Sequence, residues 1–148
     1  MDLQEKVTDQ LKAAMKAKDS VALESLRAIK SAILLTQTQA GAKELSSDDE
    51  IKLVQKLVKQ RKDSAAIFRQ QGREDLAEPE EAQIKIIEQF LPEQLNEAAI
   101  AEIIDGIISQ TQASSMKDMG KVMGMATKAM AGKADGKTIS SIVRQKLA

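Results

Sequence analysis

The sequence predicts an all-α protein, an N-terminal helical domain of about four helices followed by a small C-terminal three-helix bundle. Two observations carry that reading. Hydrophobic residues make up 43% of the 148, yet aromatics are only 1%, Phe68 and Phe90 being the sole pair. The core is therefore aliphatic, and abundant Leu, Ala, Met, Lys, Glu and Gln favour helix while strand-favouring aromatics are nearly missing. Apolar residues also recur at helical spacing in segment after segment, with capping and breaking residues between them.

Leu3, Val7, Leu11 and Ala14 form the first stripe, which ends near Lys18, Asp19 and Ser20. Ala22, Leu26, Ile29 and Ile33 form the second, widened by Leu23 and Leu34, and Gly41 stops that helix. So wide a face predicts packing against two neighbours. Ser47 and Glu50 stand at capping-box spacing before the third and longest helix, which runs through Val54, Leu57, Val58, Ala65 and Phe68 to a Gly72 cap. The fourth carries Ile84, Ile87 and Leu91, with Pro79 expected in its first turn, where a missing N–H costs least.

Pro92 biases Leu91 away from helix, so the domain boundary is expected there, with domains at 1–91 and 92–148. Asn96 caps a fifth helix bearing Ile100, Ile103, Ile104, Ile107 and Ile108. Ser115 and Asp118 resemble a capping box for a sixth, from Met116 to Met130. After the Gly132 to Gly136 break, Ile139, Ile142, Val143 and Leu147 mark the seventh. Three helices this short need tight packing or a neighbour.

The chain contains neither histidine nor cysteine, so the commonest proton shuttle, thiol chemistry and thiolate metal sites are all ruled out. No GxxxxGK[ST] or GxGxxG loop cradles a phosphate. We expect no catalytic residues, no metal and no cofactor. Glu78, Glu80 and Glu81 are the densest acids, and near a helix start they offset its positive end. The first 35 residues hold no long uncharged apolar run, so neither a signal peptide nor a membrane span is expected. The missing cysteines fit a reducing compartment, by default the cytoplasm.

Net charge is zero, but its distribution is uneven. Glu93 to Ser115 holds four acids and no base, whereas Met116 to Ala148 holds seven bases against Asp118 and Asp135. Lys52 to Arg73 is a second basic stretch, with Asp63 its one acid. At about 100° per residue, Arg61 falls within the apolar stripe of the third helix and Glu80 within that of the fourth. A structural ion pair is expected between Arg61 and a carboxylate between the third and fourth helices, Glu80 being the first candidate, with a grip on a ligand the other reading of an inward arginine.

On the sixth helix Met116, Met119, Met123, Ala126 and Met130 line one face, while Lys117, Lys121 and Lys128 line the opposite one. Gly124 sits within the basic face, where a phosphate backbone has room to approach. Lys133 in the glycine loop, with Lys137 and Arg144 on the last helix, extends the patch. A solvated helix face is the plainer reading of these lysines. Core filling is likewise the plainer reading of the methionines, a promiscuous binding groove the other.

The stretches Leu26 to Ile33, Lys59 to Ser64, Gly72 to Ala77, Phe90 to Leu95, Ser114 to Met123 and Gly132 to Lys137 resemble, in order and spacing, the YqeY family of small bacterial proteins. Pro79 stands where that family leads one to expect a charged residue. The C-terminal part of the family is similar to the tail of the B subunit of tRNA-dependent amidotransferase, which helps to hold tRNA. The resemblance implies a non-catalytic, tRNA-binding or tRNA-associated protein, and the basic patch reached from helical phase, Lys117, Lys121, Gly124, Lys128, Lys133 and Lys137, is then its expected nucleic-acid face. It carries over no catalytic residues and no ATP-using domain. A protein-protein adaptor, or a component of a carbon-nitrogen ligase using glutamine as amido-nitrogen donor, are the alternatives, each needing a protein partner.

Overall fold

A computed structural model describes residues 2–39, 41 and 44–148. Among these there are seven α-helices and no strand: α1 (Leu3–Ala17), α2 (Ser20–Gln39), α3 (Ser47–Gln70), α4 (Glu74–Glu88), α5 (Glu97–Thr111), α6 (Met119–Ala129) and α7 (Gly136–Leu147). A single 3-10 turn, Met116–Asp118, precedes α6. The chain divides into two compact units, Met1–Leu91 and Pro92–Ala148.

Local chemistry accounts for most of the helix ends. Asp2 and Asn96 accept hydrogen bonds from the backbone of Glu5 and Ala99, each at 2.8 Å, and cap α1 and α5. Asp19 does the same for Ala22 at 3.1 Å. After α3, Gly72 at φ 71° lets Arg73 N–H return to the Phe68 carbonyl at 2.8 Å, a Schellman ending that a Cβ would strain.

The start of α3 differs from the expectation by one residue. Ser46, not Ser47, is the cap, paired with Asp49 in a reciprocal capping box. The run Ser46-Ser47-Asp48-Asp49-Glu50 offers both registers, and the one adopted frees Glu50 to accept from Leu3 N–H at 3.1 Å, tying the start of α1 to α3. Helix α4 also begins earlier than expected, at Glu74, so Pro79 lies in its second turn. Buried Ala77 anchors that first turn, and the acids Glu74 and Asp75 suit a helix start. The N–H that Pro79 lacks would have bonded to the carbonyl of Asp75, an exposed residue.

In the first unit, α3 packs on α4, and α2 packs on α1, α4 and, more lightly, α3. Its core joins Val7, Leu26, Ile29, Ile33, Val54, Ile84 and Ile87, all nearly inaccessible. The widened stripe of α2 is covered only in part, because Leu34 remains 51% exposed. In the second unit α5, α6 and α7 all pack on one another, around Ile104, Val122, Ala126, Met130, Ile139 and Val143. Lys146 on α7 reaches Asp105 on α5 at 2.7 Å.

The expected Arg61–Glu80 ion pair does not form among the described residues. Arg61 does turn toward α4, but its Nε donates to Gln83 Oε1 at 2.9 Å and its Nη1 to the Leu57 carbonyl at 3.0 Å. Gln83 in turn donates to Glu24 Oε2 at 3.1 Å. Gln83 lies three residues beyond Glu80 on the same side of α4, and the offset between α3 and α4 brings that turn, not the earlier one, level with Arg61. Arg61 thus reaches a carboxylate of α2, Glu24, through the Gln83 amide of α4.

Candidate nucleic-acid interface

The turn before α6 is built from its own polar groups. Asp118 accepts from Ser114 N–H at 2.9 Å and from Ser115 N–H at 3.4 Å, while Ser115 caps the turn in a capping box. Those two backbone donors hold the Asp118 carboxyl below its usual range, with smaller contributions from Lys117 and Lys121. Because the turn is 3-10, the α-helix begins at Met119 instead of Met116. Met116 therefore leaves the core stripe and is 47% exposed.

Helix α6 buries Val122 and Ala126, and Met130 follows, fully enclosed, at its C-terminal cap. Met119, Met123 and Met125 pack partly against the same core. Val122, between the methionines of the stripe, is the core residue that a methionine-centred reading passes over. Its helical phase, within about 60° of Met119, is the signal that points to it.

Lys121, Gly124 and Lys128 are all exposed and fall within about 60° of one another on the side opposite the core. No atom lies within 4 Å of where a Gly124 Cβ would stand, and the same holds for Gly120. The helix thus presents bare backbone between two ammonium groups about 10 Å apart along its axis. Lys117 is also exposed but sits on the 3-10 turn, ahead of the helix. None of Lys117, Lys121, Lys128, Lys133 and Lys137 enters an ion pair among the described residues.

Lys133 and Lys137 lie beyond the other end of α6, in the connecting loop and in the first turn of α7, both exposed. The loop turns through Gly132 at φ 76°. It is strapped down by residues that sequence reasoning missed: Leu95 N–H donates to the Lys133 carbonyl at 2.8 Å, and Gln94 Nε2 donates to the Gly132 carbonyl at 2.7 Å. Asp135 then caps α7 through Thr138 N–H at 2.7 Å. The structure therefore gathers Lys121, Gly124 and Lys128 on one face and places Lys117, Lys133 and Lys137 at its two ends.

No group of three or more carboxylates among the described residues is placed to hold a metal ion. No helix among them is long and apolar enough to cross a membrane. What the smaller unit offers is a one-sided row of cations on a packed three-helix frame, with open backbone at its centre, an arrangement suited to an extended anion.

The two helical units define a small helical protein with a basic, side-chain-poor face. The chain belongs to the YqeY-like protein family, whose model matches residues 4–147. It is similar to altered inheritance of mitochondria protein 41, mitochondrial, of Pyrenophora tritici-repentis, at 30% identity over 91% of this chain and 75% of the relative. The protein of the same name from Lachancea thermotolerans is 34% identical over 91% and 76%. A segment is also similar to a subunit of the glutamyl-tRNA(Gln) amidotransferase of Thermococcus gammatolerans, 30% identical over 68% of this chain but only 17% of the archaeal protein. With fungal mitochondrial and archaeal relatives, the likeness extends beyond the bacteria that the sequence resemblance implied.

Proposed function

We propose that this protein is a non-catalytic tRNA-binding accessory protein whose C-terminal unit holds the phosphate backbone. The observation that carries this reading is the exposed Lys121–Gly124–Lys128 face, with open space above the glycine. Lys117, Lys133 and Lys137 extend it. The similarity to a segment of a protein named for glutamyl-tRNA(Gln) amidotransferase supports tRNA as the nucleic acid. Stacking on unpaired bases has little to use, since the chain has no Trp or Tyr and two Phe, so recognition rests on shape and charge. A chain without cysteine suits the reducing cytoplasm.

The test is binding of unfractionated tRNA across a salt series. Each phosphate contact adds roughly 0.7 to 0.9 to the slope of log affinity against log salt. The Lys117, Lys121, Lys128 to Ala variant should bind more weakly and lose up to about 2 to 3 of that slope. A flat salt response, or a triple variant that binds as the wild type does, refutes the proposal.

A second reading, an accessory component of an amide-transferring assembly, is favoured by the name of the same archaeal relative. A reconstituted amidation of mischarged tRNA that requires this chain supports it. Amide transfer by the isolated chain contradicts it.

A further inference from the structure

Helix α2 has a second apolar side that the core does not use. Leu26, Ile29 and Ile33 are buried, whereas Leu35, about 180° round the helix from Leu26, is 60% exposed. Ala32 and Leu35 of α2, with Leu45, Leu53 and Leu57, line a groove of about 560 Å³ between α2 and the first half of α3. Along α3 its lining runs from Asp49 to Gln60, about 16 Å of axis or three helical turns.

Charge is sorted along the groove. Glu44 and Asp49 stand at the end nearest the α3 N-terminus, and Lys52 and Lys56 occupy the next two turns. Hydrogen bonds with the Ser46 side chain and backbone hold the Asp49 carboxyl below its usual range. No aromatic residue lines the groove, so an unpaired base finds nothing to stack on. An apolar floor with charged walls, three turns long, is the form of site that receives an amphipathic helix.

We propose that this groove docks an amphipathic helix of a partner protein, running antiparallel to α3, with acids in its N-terminal turns over Lys52 and Lys56 and bases in its C-terminal turn over Glu44 and Asp49. The direction follows from charge. Any helix is stabilised by acids in its first turn and bases in its last, and a helix of that order meets opposite charges only in the antiparallel orientation. Its apolar anchors, spaced i, i+3 or i+4, and i+7, fill the floor over Leu35, Leu53 and Leu57.

The experiment uses the full chain and three fluorescent peptides of about 18 residues. The first carries leucine anchors at that spacing with acids toward its N-terminus and bases toward its C-terminus. The second keeps the anchors and reverses the charge order, and the third keeps the charges and replaces the anchors with serine. The first is expected to bind at least about tenfold more tightly than either control, and Leu35→Glu to weaken it by a similar factor. Leu35→Glu should leave thermal unfolding unchanged, since Leu35 is exposed. Lys52→Glu with Lys56→Glu should abolish the preference for the first charge order.

Equal binding of the first two peptides, or of the first to wild type and Leu35→Glu, overturns the proposal. So does a Leu35-dependent dimer in sedimentation, which assigns the groove to a second copy of the chain, or displacement of the first peptide by tRNA, which assigns it to RNA. These outcomes are independent of whether the C-terminal unit binds tRNA.

Discussion

The Arg61 guanidinium reaches across from α3 to the Gln83 side chain of α4 at 2.9 Å, and Gln83 passes the contact on to Glu24 of α2. One polar relay therefore ties three helices of the first unit together at a half-buried position. The amide suits this place because it accepts from a guanidinium at one end and donates to a carboxylate at the other.

Arg61→Ala and Gln83→Ala should each destabilise the first unit by about 1 to 2 kcal/mol. A double-mutant cycle in urea between them should give a coupling of about 1 kcal/mol. The same cycle between Arg61 and Glu80 should give none. Substantial Arg61–Glu80 coupling would show that the ion pair forms after all.

Core and surface methionines should separate cleanly. Met130 is fully buried while Met116 is 47% exposed. Met130→Ala should cost about 2 to 5 kcal/mol by leaving a cavity, a large share of what so small a unit has, whereas Met116→Ala should stay within about 0.5 kcal/mol. Thermal unfolding of the two variants decides it.

Gly124 separates stability from binding. A methyl group added there meets nothing within 4 Å, so Gly124→Ala should stabilise α6 by about 0.5 to 1 kcal/mol. If a phosphate backbone approaches the bare helix, Gly124→Glu should cut tRNA binding sharply in the same assay, at little cost to folding. Unchanged RNA binding by Gly124→Glu would remove the glycine from the interface.

Acid should loosen the turn before α6. The Asp118 carboxyl titrates lower in the folded chain than in the unfolded one, because the Ser114 and Ser115 N–H groups bond its ionised form. Its contribution is therefore complete above the unfolded value of about 3.9 and is lost as pH falls through the lower folded value. Asp118→Asn should flatten the acid limb of stability against pH below about pH 4, leaving the neutral region's slope unaltered. An acid limb identical to that of the wild type would show that Asp118 does not contribute.

Helix identity and core membership were legible from periodicity. Leu3, Val7, Leu11 and Ala14, or Ile139, Ile142, Val143 and Leu147, announce a buried side by angle alone, and the structure buries all eight. The caps at Asn96 and Ser115 were legible too, since a cap needs only its own first turn. The outward face of α6 followed from the same angular rule. Where local signals were duplicated, as with Ser46 and Ser47, only the use of Glu50 by α1 distinguished them.

The sequence by itself determined the class of fold, the seven helices and the side of each that is apolar, because angle about a helix axis is a property of one segment. Tertiary structure alone decided that Arg61 meets Gln83 and not Glu80, that Pro79 lies in a second turn, that Gln94 and Leu95 strap the Lys133 loop, and that Leu35 is left uncovered beside α3. Each of these depends on which segments distant in sequence are brought against one another and at what displacement, and that is not written in the periodicity of a single strip of residues.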